Sequence, residues 1–194
     1  MTRFAARYPQ VRVEMLASPG YQDLVREGLD LALRIAMKPL AESSPVVRKV
    51  GVVAVCLYAS PLYLARHGVP RSEAEMADHD LIAFQGTPSW LGRNGRSALA
   101  KRVPRIECND MFFAREVLRG GAGVGALPTF IAEQDLESGS LVRVLPRWSV
   151  QVGSVYLVHA GKKHVPSRVT AFRGLLLETL ERRPLSPPAD ARAR

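Results

Sequence analysis

The feature that most constrains the fold is one apolar run, residues 50–58, that leads directly into the start of a helix. Its side chains are mostly β-branched or apolar, which is typical of a buried strand. Ser60 and Pro61 follow the run, and these residue types favour an N-cap and the first helical position. The sequence therefore predicts a long buried strand and then a short helix over residues 62–67, which ends at Gly68.

The rest of the chain alternates between predicted strands and predicted helices, which predicts an α/β fold with largely parallel sheets. We expect the buried strand to carry the chain from one α/β lobe into a second, and the last helix to return to the first. A small molecule would bind in the groove between two such lobes. The predicted extents are residues 1–58 and 160–183 for lobe one, 59–159 for lobe two, and 184–194 for a disordered tail.

Hydrophobic periodicity and turn residues locate the other elements. The predicted strands cover residues 11–15, 30–36, 81–84, 103–108, 124–127, 141–145 and 154–160. The predicted helices cover residues 1–8, 21–27, 72–76, 111–119, 128–136 and 167–181, and Asn94-Gly95 predicts a hairpin turn.

The composition excludes several classes of protein. The chain has 194 residues and a net charge of +9, but no basic helix interleaved with aromatic residues and no helix-turn-helix pattern. We therefore expect no direct DNA binding by this chain alone. No apolar run is long enough to span a bilayer, and the N-terminus lacks the apolar core of a signal peptide. These features favour a cytoplasmic protein without membrane contacts, in which Cys56 and Cys108 are reduced thiols.

No pattern in the sequence indicates catalysis. The four histidines have no metal-ligand spacing, and neither a G-x-S-x-G nor an H-E-x-x-H motif is present. The glycine-rich residues 120–125 follow a predicted helix and precede a predicted strand, which is the reverse of a phosphate-binding loop. We therefore predict that these glycines end a helix and allow tight helix–strand packing. No catalytic residue, metal ligand or cofactor is predicted.

Four residues, Ser18, Ser60, Asn109 and Pro128, each stand where a predicted strand ends and a predicted helix begins. In open α/β sheets ligands bind at that edge. Helix N-termini offer free N–H groups and partial positive charge, which suit a carboxylate. Arg34, near the end of its strand, would supply either a counter-charge for the ligand or one half of a structural ion pair.

Several segments resemble the effector-binding domain of LysR-type transcriptional regulators. Each is weakly specific, but their order and spacing match the family from Phe4 to about Leu180. The segments are residues 4–14 (FAARYPQVRVE), 24–35 (LVREGLDLALRI), 58–68 (YASPLYLARHG), 78–84 (DHDLIAF), 109–110 (ND), 121–128 (GAGVGALP) and 139–146 (GSLVRVLP).

The resemblance implies a type 2 periplasmic-binding-protein fold, in which crossing strands join two α/β lobes around a small effector. It also implies a homodimer of these domains within a tetrameric regulator. Family effectors are often small organic or aromatic acids. The family's usual cleft positions correspond here to Ser18, Pro19, Ala59, Ser60, Asn109 and the turn from Gly125 to Pro128.

The sequence departs from the family at its N-terminus. The winged helix-turn-helix, the linker helix and the first strand of lobe one are not in this sequence, so we expect DNA contacts only through that absent part. We also expect a gap or a rearranged sheet between residues 11–15 and residues 31–35. Two alternatives stay open: a free-standing solute-binding protein of the same fold, and a small α/β enzyme that uses the same groove.

Overall fold

A computed structural model describes residues 1–18, 23–36, 46–85, 99, 102–159 and 165–186. The chain forms two compact units. Unit 1 comprises Met1–Val52 and Gly153–Pro184, and unit 2 comprises Val53–Val152 and Leu185–Arg194. The chain passes from unit 1 to unit 2 after Val52 and returns to unit 1 after Val152. The predicted transitions were after residues 58 and 159, so both occur earlier in the sequence than predicted. Leu185 and Ser186, predicted to lie in a disordered tail, instead hydrogen-bond to Thr129.

The described helices are five α-helices and one short 3-10 helix, Glu75–Asp78. The α-helices are α1 (Thr2–Arg7), α2 (Pro61–His67), α3 (Met111–Arg119), α4 (Thr129–Ser138) and α5 (Ser167–Arg182). The described strands are β1 (Leu31–Ala36), β2 (Val46–Ala59), β3 (Leu81–Phe84), β4 (Ile106–Cys108), β5 (Val124–Pro128), β6 (Val142–Val144) and β7 (Val150–His159).

Unit 1 contains α1, β1, α5 and parts of β2 and β7. β7 lies between β1 and β2, and β1 pairs antiparallel with β7 from Leu31–His159 to Ala36–Ser154. Leu24 packs with the buried side chains of β7 to form a small core. On α1 the buried Phe4 meets the Phe172 ring of α5 edge-on, with centroids 4.9 Å apart, because α5 turns one apolar face inward.

Unit 2 contains a mixed sheet in the order β2–β5–β3–β4, with β6 also paired to β2. β3 runs parallel to both β4 and β5, whereas β2 runs antiparallel to β5 and to β6. The prediction of largely parallel sheets is therefore wrong. Leu118 of α3, Leu127 of β5 and Leu141 form part of one buried core under α3 and α4.

Four predicted elements differ in the structure. Residues 11–15 alternate in polarity but form no strand, because alternation specifies a buried face and not a hydrogen-bonded neighbour. The described part of the predicted helix 21–27 is a series of turns ended by Gly28, at φ +68°. Residues 72–76 become turns and the 3-10 helix, and the strand at 103–108 shortens to β4. The hairpin at Asn94-Gly95 lies outside the described residues.

Candidate functional site

The sheet of unit 2 has two edges that the strand directions keep apart. Because β3, β4 and β5 run parallel, their last residues, Phe84, Cys108 and Pro128, lie at the same edge. β2 runs the other way, and its last residue, Ala59, pairs with Val124 at the start of β5. The four residue steps along β5 separate the two edges by roughly 13 Å.

We name the two edges after the predicted residue that each carries. The Asn109 edge consists of Asn109, Asp110, Pro128, Thr129 and the first turns of α3 and α4. The Ser60 edge consists of Ala59, Ser60, Tyr63, His79 and Asp80. The predicted convergence of Ser60 with Asn109 is therefore wrong, because a polar residue after a strand does not reveal the direction in which that strand runs.

The Ser60 edge is a closed structural cap. Ser60 is only 2% exposed, and its Oγ accepts a hydrogen bond from the Tyr63 N–H at 3.2 Å, as the predicted N-cap should. The Tyr63 hydroxyl accepts a hydrogen bond from the Asp80 N–H at 2.9 Å and lies 3.3 Å from His79 Nδ1. Since these polar groups satisfy one another in the interior, Ala59 and Ser60 stabilise the unit, and their predicted ligand contacts stay predictions.

Burial shifts two titratable groups at the Ser60 edge. Burial raises the pKa of the Tyr63 phenol above its usual value. Burial also lowers the pKa of His79, and the nearby His67 lowers it further. Both shifts favour the neutral side chain, as expected where charge is poorly solvated.

The Asn109 edge combines an exposed amide with the start of α4, whose Thr129 side chain hydrogen-bonds to Leu185 and Ser186. Asn109 is exposed and follows β4 directly, and Asp110 caps α3 by accepting a 2.7 Å hydrogen bond from the Phe113 N–H. α4 begins after Pro128 with no side-chain cap among the described residues. A ten-residue helix with uncapped N–H groups presents partial positive charge at this edge.

Two aromatic residues at this edge were not identified from the sequence. Phe112 and Phe113, in the first turn of α3, are 62% and 54% exposed. α3 buries its Ala114 and Leu118 face, so two adjacent aromatics in its first turn cannot both reach the core. That spacing is the signal in the sequence that would have identified them as surface residues beside Asn109.

Gly125 and Pro128 of β5 determine how the strand packs at the Asn109 edge. A Cβ on Gly125 would lie 2.8 Å from the Ile82 carbonyl oxygen and 3.1 Å from both Leu118 methyl groups. Gly125 therefore allows α3 to pack closely on β5, as predicted for the glycine-rich run. Pro128 is buried, pairs with Val55 of β2, and positions the start of α4.

An ion-pair network joins the two helices that begin at the Asn109 edge. Asp135 of α4, 2% exposed, accepts hydrogen bonds from Arg115 Nε at 2.5 Å and from Ser140 Oγ at 2.9 Å. Burial alone would raise the pKa of Asp135, but hydrogen bonds from Arg115 and Ser140 and the charges of Arg115 and Arg119 lower it overall. The carboxylate in turn raises the pKa of Arg115. The network fixes α3 against α4.

The predicted site residues of unit 1 are less defined. Ser18 is exposed and follows residues that form no strand, and Pro19 lies outside the described residues. Arg34 is half-buried in β1, opposite Tyr156 of β7. Their ligand contacts stay predictions, as does the predicted groove.

Within the described ranges, no group of three or more His, Cys, Asp or Glu side chains could hold a metal ion. Among the helices that the structure describes, none has both the length and the apolar character that crossing a bilayer requires. Cys56 and Cys108 are free thiols, and Arg143 donates a hydrogen bond to Cys56 Sγ at 3.2 Å.

Comparison with curated proteins finds named regulators. The chain is 32% identical over 189 residues to a probable HTH-type transcriptional regulator, LtrA, of Klebsiella pneumoniae, covering 93% of this chain and 60% of that protein. It is 31% identical over 194 residues to the HTH-type transcriptional regulator PtxR of Pseudomonas aeruginosa, covering 93% and 59%. The chain thus spans about three fifths of the length of these relatives.

Solved structures show the same fold. The regulatory domain of AphB from Vibrio vulnificus matches with a TM-score of 0.77 and 26% identity, over 92% of this chain and 88% of that one. The CrgA regulatory domain, from a LysR-type regulator of Neisseria meningitidis, matches with a TM-score of 0.76 and 27% identity, over 92% and 89%. The expected type 2 periplasmic-binding-protein fold is thereby confirmed. Residues 1–181 match the LysR substrate binding domain, and the chain belongs to that family.

Proposed function

We propose that this chain is the effector-sensing module of a LysR-type transcriptional regulator and that it acts by binding, without catalysis. The observation that carries the proposal is the match of residues 1–181 to the LysR substrate binding domain. The relatives named as HTH-type transcriptional regulators support the regulatory role. Such a role belongs in the cytoplasm, and fractionation of cells that express a tagged protein would test that location.

We place the effector at the Asn109 edge and propose that it is a small organic acid. The uncapped N–H groups of α4 suit a carboxylate, because they offer donors and partial positive charge to an anion. Asn109 can hydrogen-bond the polar end of the ligand, and the exposed rings of Phe112 and Phe113 can contact its apolar body. Arg34 of β1 stays a proposed counter-charge for an acidic ligand.

The experiment is a screen of small aliphatic and aromatic carboxylates by thermal shift, followed by calorimetric titration of the compounds that raise the melting temperature. Asn109→Ala should weaken binding about tenfold, since a hydrogen bond to a charged group is lost. Gln134→Ala is the matched control, because it removes an exposed amide in the middle of α4. Equal affinities in the two variants would remove Asn109 from the site.

We also propose that the chain forms a homodimer, within a tetramer in the full-length regulator. The support is the resemblance to the family together with exposed apolar side chains in unit 1. On β1, Leu33 is 50% exposed and Ile35 is 61% exposed, although both side chains are large and apolar. Contiguous exposed apolar side chains commonly mark a protein interface.

Sedimentation equilibrium tests the homodimer. Leu33→Glu should shift the chain toward monomer, because the substitution places a charge in the proposed interface. Val103→Glu, at an exposed apolar residue of unit 2, is the matched control and should leave the association constant unchanged. A monomer at high micromolar concentration in the unchanged chain would contradict the proposal.

DNA recognition is proposed to reside outside this chain. The chain covers about three fifths of relatives named for a helix-turn-helix, and no described element carries a row of base-reading side chains. The chain alone should give only weak gel-shift retention that disappears with added salt, because its net charge of +9 attracts phosphates without reading bases. Retention at physiological salt that discriminates between sequences would contradict this.

A further inference from the structure

Two residues that follow α5, Leu185 and Ser186, belong to unit 2 and lie against the start of α4. Leu185 is half-buried and Ser186 is 8% exposed, whereas Arg183 and Pro184 before them are exposed. A serine buried directly after an exposed segment needs hydrogen-bond partners in the interior, because an unpaired buried hydroxyl is costly. We name Leu185 and Ser186 the strap.

One chain of hydrogen bonds holds the strap. The Ala54 N–H donates to Ser186 Oγ at 2.9 Å, and the Thr129 hydroxyl donates to the Leu185 carbonyl oxygen at 3.1 Å. The hydroxyl oxygens of Ser186 and Thr129 are 3.1 Å apart. Since a hydroxyl has one proton and Thr129 donates its proton to Leu185, Ser186 is the donor to Thr129. The strap therefore uses the single proton of the Ala54 N–H and that of the Thr129 hydroxyl.

These two donors lie at the edge of the sheet where the effector is proposed to bind. Ala54 directly precedes Val55, which pairs with Pro128 at the last position of β5, and Thr129 is the first residue of α4. The two donors are therefore neighbours of the helix N–H groups that suit a carboxylate. A carboxylate can accept protons from Ala54 and Thr129 only after the strap oxygens have left.

We propose that the strap is an autoinhibitory contact that competes with an anionic effector for the start of α4. The inference rests on the effector site proposed at the Asn109 edge. Binding of the carboxylate releases Ser186 from Ala54 and Thr129. Because a molecule with a bound strap cannot offer these donors, the strap lowers the measured affinity for the effector.

The strap is suited to local opening. Its release breaks the three hydrogen bonds described above, and the segment directly before it is exposed. A short segment attached in this way can open while the core of unit 2 stays folded. The strap can therefore exchange with a ligand without unfolding the site.

The affinity test uses the full chain and benzoate as the probe, in an NMR titration. Ser186→Ala should tighten benzoate binding about fivefold, because the strap loses its hydrogen bonds with Ala54 and with Thr129. Ser149→Ala is the matched control, since it removes the hydroxyl of an exposed serine elsewhere in unit 2 and should leave the affinity unchanged.

Two further measurements follow the strap itself. Hydrogen exchange at the Ala54 amide, without ligand, should be faster in Ser186→Ala than in the unchanged chain. In the unchanged chain, saturating benzoate should lower the proton–nitrogen NOE of the Ser186 amide, because the released strap moves on a faster timescale. This measurement needs no substitution, so it keeps the test valid if Ser186→Ala fails to fold.

The outcomes separate the strap from the effector site. If benzoate shifts the Asn109 amide but binds Ser186→Ala with unchanged affinity, the strap proposal is overturned and the effector site stands. An unchanged Ser186 NOE in the benzoate-saturated chain, or unchanged exchange of the Ala54 amide in Ser186→Ala, would also overturn the strap alone. Absence of benzoate binding to both chains would overturn the competition together with the carboxylate site on which it rests.

Discussion

The two edges of the unit 2 sheet share one sequence pattern but have opposite surroundings. At each edge a strand ends at a polar residue and a helix follows. At the Ser60 edge the capping serine is 2% exposed, and its neighbours Tyr63, His79 and Asp80 satisfy one another. At the Asn109 edge the amide is exposed, two phenylalanine rings face solvent, and α4 starts without a side-chain cap among the described residues.

The difference comes from strand direction. β2 crosses unit 2 antiparallel to β5, so its capping residue lies at the amino ends of β3 and β5. Ligand sites in such sheets lie at the carboxyl ends of the parallel strands. A capping residue is therefore a candidate ligand contact only when its strand runs with its neighbours.

The largest expected effect tests what holds the Asn109 edge together. Arg115→Ala removes the main partner of the buried Asp135 carboxylate and should lower the free energy of unfolding by about 3 kcal/mol. Urea denaturation measures the loss. Glu116→Ala is the control, because this exposed residue also contacts Arg115, at 3.5 Å, but should cost about 0.5 kcal/mol or less. Equal losses would show that the helix pair does not depend on the buried carboxylate.

The next effect concerns Gly125, predicted as a ligand contact and found beneath α3. Gly125→Ala places a methyl group 2.8 Å from the Ile82 carbonyl oxygen, so β3, β5 or Leu118 must move. We expect the free energy of unfolding to fall by about 1–3 kcal/mol. Gly174→Ala, on the exposed side of α5 with open space at its Cβ, is the control and should not destabilise the chain. An unchanged melting temperature in Gly125→Ala would contradict the packing role.

A smaller effect separates Ser60 from Asn109. Ser60→Ala removes the hydrogen bond to the Tyr63 N–H and should cost about 1 kcal/mol of stability, while ligand affinity stays unchanged. Asn109→Ala should do the reverse, with a stability change within about 0.5 kcal/mol because the residue is exposed. Denaturant titration and calorimetry on the same two variants check both halves. Weaker ligand binding in Ser60→Ala would return Ser60 to the site.

The smallest effect is a dependence of stability on pH at the Ser60 edge. The pKa of folded His79 lies below its unfolded value of about 6.5, so the unfolded chain binds the proton first as the pH falls. Stability from the neutral imidazole is therefore complete above about pH 6.5 and declines below it. His79→Gln should flatten this decline, measured as the melting temperature between about pH 7 and pH 5. His67→Gln is the comparison variant. An unchanged dependence of the melting temperature on pH in His79→Gln would contradict the assignment of this decline to His79.

Much of the fold could be predicted because local chemistry specifies it. The β-branched run gave β2, Ser60 and Pro61 started α2, and Gly68, at φ +81°, ended it. The strand predicted at residues 11–15 does not form, and local chemistry could not show this, because a strand also needs a hydrogen-bonded neighbour that lies far away in the sequence.

The candidate site was only partly predictable for a related reason. Asn109 and Pro128 come together because β4 and β5 both run parallel to β3, and pairing of distant strands leaves no local signal. Ser60 is the N-cap of α2, whereas Asn109 precedes Asp110, the N-cap of α3, and the two residues lie at different edges. Phe112 and Phe113 follow the cap of α3 but are apolar, so capping chemistry alone does not identify them.

The most direct test of the central claim is an amide NMR titration with a carboxylate that raises the melting temperature in the screen. The account predicts that the largest shifts occur at Asn109 and at Ile131, because the proposed ligand meets the uncapped N–H groups in the first turn of α4. The amides of Ser60 and Tyr63 should change little. Shifts centred on Ser60 and Tyr63, with none at the Asn109 edge, would contradict the account.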